Sequence, residues 1–281
     1  MAKWDLLQPV VASGEKRKIK VVVMSCSRTA TLGMYEALQI LGYTPYHMAE
    51  IVRGIEGKGP VILERALLAE NDRWSRNKPL DRAAFDEWFE GYDALIELPS
   101  YFPQQTVRAY LDDPDVKFIL VERNPDAWLK SFNSFVGVTV LKPLCSFPLN
   151  LLKYFNTPMY RLWRLNVLMY GILSGGTRMG EPDNVQNLRE NYVHYIDLIK
   201  RMIPPERMRV IRLEDGLGWK EVCDYLEKPI PDGIPYPMRV DHSEIMKVWF
   251  GEQIKNAVFK FGLTLVPFVG AGIYFSRKYF S

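Results

Sequence analysis

The sequence predicts an α/β fold, a central and mostly parallel sheet with helices on both faces. Two strand–loop–helix units carry that prediction, and the chain length supports it. The first unit is Lys18–Gly42, KIKVVVMSCSRTATLGMYEALQILG. Ile19–Met24 is a β-branched run of the kind that forms a strand buried on both faces. Met34, Ala37, Leu38 and Leu41 follow at i, i+3, i+4 and i+7, which gives a helix one apolar face, and Gly42 marks its stop. The second unit is Val116–Ser131, VKFILVERNPDAWLKS. Lys117–Glu122 reads as another buried strand, and Asn124-Pro125 as an N-cap with proline at the first helical position. At 281 residues with a 48% apolar fraction, the chain suits one large domain over residues 1–256, followed by a hydrophobic tail over 257–281.

The remaining elements follow in order. Met1–Arg17 is a polar lead-in running into the basic cluster Lys16-Arg17-Lys18. Tyr43–Glu50 should return a short strand toward the first loop, and the glycine-rich Ile51–Pro60 should be a mobile loop. Val61–Arg76 and Leu80–Phe89 read as helices, Tyr92–Leu98 as a strand, and Phe102–Leu111 as a helix. Leu144–Gly171 is apolar and aromatic but broken by Pro148 and Pro158. It fits a hydrophobic pocket, ordinary core, or a homodimer face. Asn184–Met202 is one amphipathic helix, Met208–Leu213 a strand, and Trp219–Leu226 a short helix. In the tail, Phe261–Phe275 runs without a charge, and Pro267, Gly270 and Gly272 are residues tolerated better in membrane helices than in soluble ones. That stretch reads either as a membrane contact or as a helix docked in an intramolecular groove.

Composition narrows the function classes. The net charge of +3 is mild and Lys/Arg are scattered, which argues against a nucleic-acid partner. Cys26, Cys145 and Cys223 are odd in number and far apart, so they suggest a reducing, cytoplasmic setting rather than a disulfide frame or a metal site. No apolar secretory segment shows in Met1–Lys20.

The chemistry is expected at the first loop, Ser25–Thr31. A loop between a buried strand and a helix start offers free backbone N–H groups and a positive dipole end to an anion. Arg28–Gly33 is therefore a phosphate or sulfate site. It lacks the G-x-x-x-x-G-K-[ST] pattern of nucleotide triphosphatases and the G-x-G-x-x-G pattern of dinucleotide binders.

Ser27-Arg28-Thr29-Ala30-Thr31 resembles instead the 5′-phosphosulfate loop of the P-loop-like sulfotransferases. Tyr46-His47-Met48-Ala49-Glu50 is similar to the segment that follows the loop in one branch of that family. Arg123 and Ser131 stand eight residues apart, as do the family's 3′-phosphate ligands, and Glu214–Pro237 resembles its Gly-Trp and Pro-rich block. Ser27, Ala30 and Leu32 depart from the family's proline, glycine and hydroxyl residues. The resemblance covers most of residues 18–240. It implies a three-layer sulfotransferase fold and transfer of a sulfuryl group from 3′-phosphoadenosine 5′-phosphosulfate (PAPS) to a hydroxyl or amine of a small apolar acceptor, with no metal. It assigns cofactor binding to Arg28, Thr29, Ala30, Thr31, Leu32, Gly33, Arg123 and Ser131, and catalysis to Arg28 with a general base. Glu50 ranks first as that base, His47 second and Glu97, at a strand end, third. A glutamate in a dry pocket is expected to have a raised pKa. Two other readings stay open: a cyclase, dehydratase or hydrolase on the same scaffold, and a membrane-attached binding protein with a decayed site.

Overall fold

The computed structural model describes residues 16–238 and 243–280; the lead-in over residues 1–15 lies outside them. Five strands form one sheet in the order β2-β3-β1-β4-β5, every pair parallel. β1 (Val21–Val23) leads into α1 (Thr31–Ile40), and β2 (Pro45–Tyr46) into α2 (Met48–Arg53), α3 (Gly59–Asn71) and α4 (Arg82–Trp88). β3 (Ala94–Ile96) leads into α5 (Pro103–Tyr110), and β4 (Lys117–Glu122) into α6 (Pro125–Phe132). A π-helical stretch, Asn133–Leu141, then continues into α7 (Lys142–Cys145), α8 (Leu149–Leu152), α9 (Thr157–Leu173) and α10 (Asn184–Met202). β5 (Met208–Arg212), α11 (Trp219–Leu226) and α12 (Ser243–Phe280) complete the order.

The alternation of side chains along each strand separates two cores. Val22, Leu95, Phe118 and Leu120 face the larger one, which receives α3, α5, α6, α9 and α10. Val21, Val23, Ala94, Ile96, Ile119 and Val121 face the smaller one, closed by α1 and α11. With both faces covered, the strands can be β-branched runs rather than apolar–polar alternations, which is why they were legible. Asn124 accepts from the amides of Asp126 and Ala127, the cap its sequence predicts. Gly42 adopts φ 87°, and Tyr43 N donates to Leu38 O at 2.9 Å, closing α1 with a left-handed cap.

One expectation changes. Half of Ile51–Pro60 is helical: α2 and α3 take its two ends and leave a turn at 54–58, where the carbonyls of Ile55 and Gly57 accept from Arg161. The residue 257 boundary falls inside α12, a helix of 38 residues, where Ala257 is fully buried. Among the described residues no single helix is long and apolar enough to cross a membrane; Pro125–Cys145 with Leu149–Phe155 meets the length and composition only as a pair bent by 79°.

Candidate active site

Four strands deliver their next residues to one edge of the sheet. β1 runs into the Ser25–Ala30 loop, β2 into His47, β3 into Glu97 and β4 into Arg123. The chain winds from β1 out to β2, returns to β3, then crosses β1 to reach β4 and β5. Such a reversal opens a crevice at the carboxyl ends of the strands, where ligands of open α/β sheets bind.

The loop is held from below. Thr29 Oγ1 donates to Cys26 O at 2.7 Å, Trp128 Nε1 to Ser27 O at 2.9 Å, and Val121 N to Ser25 Oγ at 2.7 Å. Trp128 is fully buried and stacked on Tyr192, so it belongs to the core. Arg28 and Ala30 both adopt left-handed conformations, φ 72° and 62°. Each costs a non-glycine residue about 1–2 kcal/mol. The glycine that Ala30 replaces would relieve this at its own position. α1 starts with no side-chain cap, so the amides of Thr31, Leu32 and Gly33 keep the orphan donors of a helix start.

The two distant arginines meet at this loop. Arg123 Nη1 donates to Arg28 O at 2.9 Å, and Arg28 Nε to Ser131 Oγ at 3.3 Å. The Arg28 guanidinium lies 4.6 Å over the Phe135 ring, and Tyr192 holds Arg123 by its backbone amide and carbonyl. Arg28, Arg123 and Ser131 are thus brought together. The hydroxyls of Thr29 and Thr31 are both spent inside the protein, the second on Glu97. Gly33 is glycine for packing: a Cβ there would stand 2.1 Å from Pro237 O. Leu32 contributes its backbone, since its side chain packs on the smaller core.

The candidate bases separate into two buried clusters. Glu50, ranked first by sequence, is closed in. Its Oε1 accepts from Tyr35 at 2.6 Å and pairs with Arg53, and the Glu50 and Arg53 side chains are almost wholly buried. The phenol of Tyr35 is pushed above its usual range by burial and by Glu50. That cluster ties α2 to α1. Glu97 instead adjoins the loop: its Oε2 accepts from Thr31 Oγ1 at 2.6 Å and from His47 Nε2 at 2.9 Å. His47 Nδ1 accepts from Ala49 N at 3.1 Å, so both ring nitrogens are engaged, Nε2 with Glu97. Burial pushes the Glu97 carboxyl up, yet His47, Thr31 and the nearby Arg28 charge outweigh it and hold it below the usual carboxylate value. The raised pKa expected of a dry pocket is not found, because the pocket is lined with donors. Glu97 also has φ 69°, and its carbonyl is pinned by Ser100 N at 2.9 Å and Ser100 Oγ at 2.7 Å.

Tyr35, Arg53, Phe135 and Tyr192 were missed by sequence reasoning. Arg53 alone had a signal, its i, i+3 spacing from Glu50 on a short helix. A cleft of about 380 Å³ lies apart from the strand ends, lined by Arg53, Glu56, Asn156, Trp249, Gln253 and Lys260 among others, and by none of Arg28, Glu97 or Arg123. Among the described residues no group of three His, Cys, Asp or Glu could hold a metal ion.

A family model described as a sulfotransferase domain matches residues 20–245. Ava biosynthesis cluster protein M from Aspergillus versicolor is 26% identical over 272 residues, covering 92% of this chain and 97% of that protein.

Proposed function

The chain belongs to the sulfotransferase family, and on that premise we propose that it transfers a sulfuryl group from PAPS to a hydroxyl or amine of a small apolar molecule. The observation that supports this most is the meeting of Arg28, Arg123 and Ser131 at the uncapped start of α1. These residues suit a nucleotide with phosphates at both ends. The amides of Thr31–Gly33 and the Arg28 guanidinium offer an anion site, while Arg123 and Ser131 offer a forked donor and a hydroxyl for a second phosphate. PAPS, when bound, supplies the sulfuryl group itself.

The residues of this chain do the rest. Arg28 sets positive charge beside the loop, where negative charge grows as the donor bond breaks. Glu97 is the base: Thr31 and His47 hold its Oε2, leaving Oε1 to take the acceptor proton. His47 keeps the carboxylate ionised and oriented, and is a positioning residue. Phe135, under the Arg28 guanidinium, and the apolar residues of the π-helical stretch behind it suit an apolar acceptor. The name of the Aspergillus versicolor protein, a biosynthesis cluster protein, is consistent with a small-molecule acceptor here.

Thermal shift with adenosine 3′,5′-bisphosphate tests the binding half. Stabilisation is expected, lost in Arg123→Ala; no shift at millimolar nucleotide would refute it. Incubation with PAPS and a panel of phenols, alcohols and amines, read by mass spectrometry, tests transfer. Nucleotide binding without any sulfated product would favour a non-sulfating enzyme, a reading to which the spent hydroxyls of Thr29 and Thr31 give some support.

A further inference from the structure

The chain carries 33 acidic residues, yet none falls in 127–180 or in 253–281. Those two stretches hold ten cations, Lys255 and Lys260 among them. They are also neighbours in space. α12 packs on α8 and on the 3-10 turn Lys153–Phe155, with the Phe155 and Phe261 rings 5.0 Å apart.

α12 is apolar on opposite sides. Phe250, Ile254, Ala257 and Phe261 face the body and pack on the larger core. Phe259, Leu263, Val266 and Ile273 follow one another at helical spacing on the far side, between 53% and 66% exposed. A helix apolar all round belongs in a protein interior or in lipid. Among the described residues, the outer half stands exposed. The element beneath adds more: Phe147, in the turn before α8, is 83% exposed, and Leu151 on α8 is 44% exposed. Beyond Glu252, exposed two turns before Phe259, the apolar side chains of this face are flanked by the cations Lys255 and Lys260, a pairing that matches the surface of an anionic membrane.

We propose that the outer face of α12, with the α7–α8 turn, docks on an anionic lipid surface and lies in its interface. This rests on charge and exposure and is independent of the reaction proposed above. Flotation of the full chain tests it, with vesicles of phosphatidylcholine alone and of phosphatidylcholine with phosphatidylserine. The chain should float with the anionic vesicles and be released as salt rises, because exposed charges are screened. The double variant Phe259→Asp/Val266→Asp should bind at least about tenfold more weakly, since each change replaces an apolar contact worth more than that factor. Its melting temperature should not move, as both side chains are exposed. Phe147→Asp, at an exposed turn position, serves as a second variant, and Lys255→Glu/Lys260→Glu should remove the preference for phosphatidylserine. Absence of flotation, flotation untouched by these variants, or a dimer in light scattering that Phe259→Asp/Val266→Asp splits would each overturn the proposal, the last by naming a second copy as the occupant.

Discussion

The Glu50 cluster and the Glu97 cluster use the same chemistry for opposite ends. Each buries a glutamate, a hydroxyl donor and a nitrogen donor within hydrogen-bond distance. In the Glu50 cluster every member stands on a helix, α1 or α2, and none of its residues has a strained backbone. In the Glu97 cluster the glutamate has positive φ, and Thr31 follows directly on Ala30, which shares that strain, as does Arg28 two residues earlier. Backbone strain gathers where a site must be held in shape. The comparison teaches that burial of a carboxylate does not mark a base. Its place at a strand end beside the loop is what favours Glu97 as the proposed base.

The largest expected effect separates the two glutamates by turnover. Glu97→Gln should lower kcat/KM about 10²–10⁴-fold, the range for loss of a general base, while the thermal shift with adenosine 3′,5′-bisphosphate persists. Near-normal turnover in that variant would return the base to another residue. Glu50→Ala should instead cost about 3–5 kcal/mol in urea denaturation, because the buried Arg53 charge loses the carboxylate it pairs with and keeps only neutral contacts such as Tyr35 OH. The folded fraction should keep its turnover. A stable Glu50→Ala protein that no longer transfers would invert the assignment.

Smaller effects sharpen the contrast through pH. Glu97 has a lowered pKa in the folded protein, so its contribution to stability is full above the usual carboxylate value of 4.5 and is lost as pH falls through the folded value. Tyr35 has a raised pKa, so its contribution is full below the usual phenol value of 10.0 and is lost as pH climbs past it. Stability curves of Glu97→Gln should therefore differ from the parent at the acid end, and those of Tyr35→Phe at the alkaline end. Curves that shift at the same end would show that the clusters are coupled. The smallest effect is Ala30→Gly, expected to gain about 0.5–1 kcal/mol in chemical denaturation, the relief of a left-handed alanine less the added freedom of the unfolded glycine. A loss would mean that the Ala30 methyl packs more tightly than its partial burial suggests.

Most of the fold was legible because burial on both sheet faces writes strands as β-branched runs and because Asn124-Pro125 and Gly42 punctuate helices locally. β4, α10 and α11 stand where periodicity and caps predict them. The segment 132–180 was unreadable for the opposite reason. An apolar π-helical stretch, two four-residue helices and α9 share one composition, and only packing divides them. At the site, Arg28, Arg123 and Ser131 could be singled out from loop and cap chemistry, but their contact spans 95 to 103 residues of chain and carries no local signal.

What the sequence determined alone is whatever a residue and its near neighbours decide: strand and helix positions, the strand–loop–helix unit that carries Arg28, and the absence of acids from two stretches. Tertiary structure decided which glutamate faces the loop, since β2 and β3 are adjacent only through the sheet, and it set His47 beside Glu97 while α1 turned Tyr35 against Glu50. It also decided that two acid-free stretches, about a hundred residues apart in the chain, lie side by side. Contacts of that range depend on sheet order and helix docking, for which no short span of sequence holds a code.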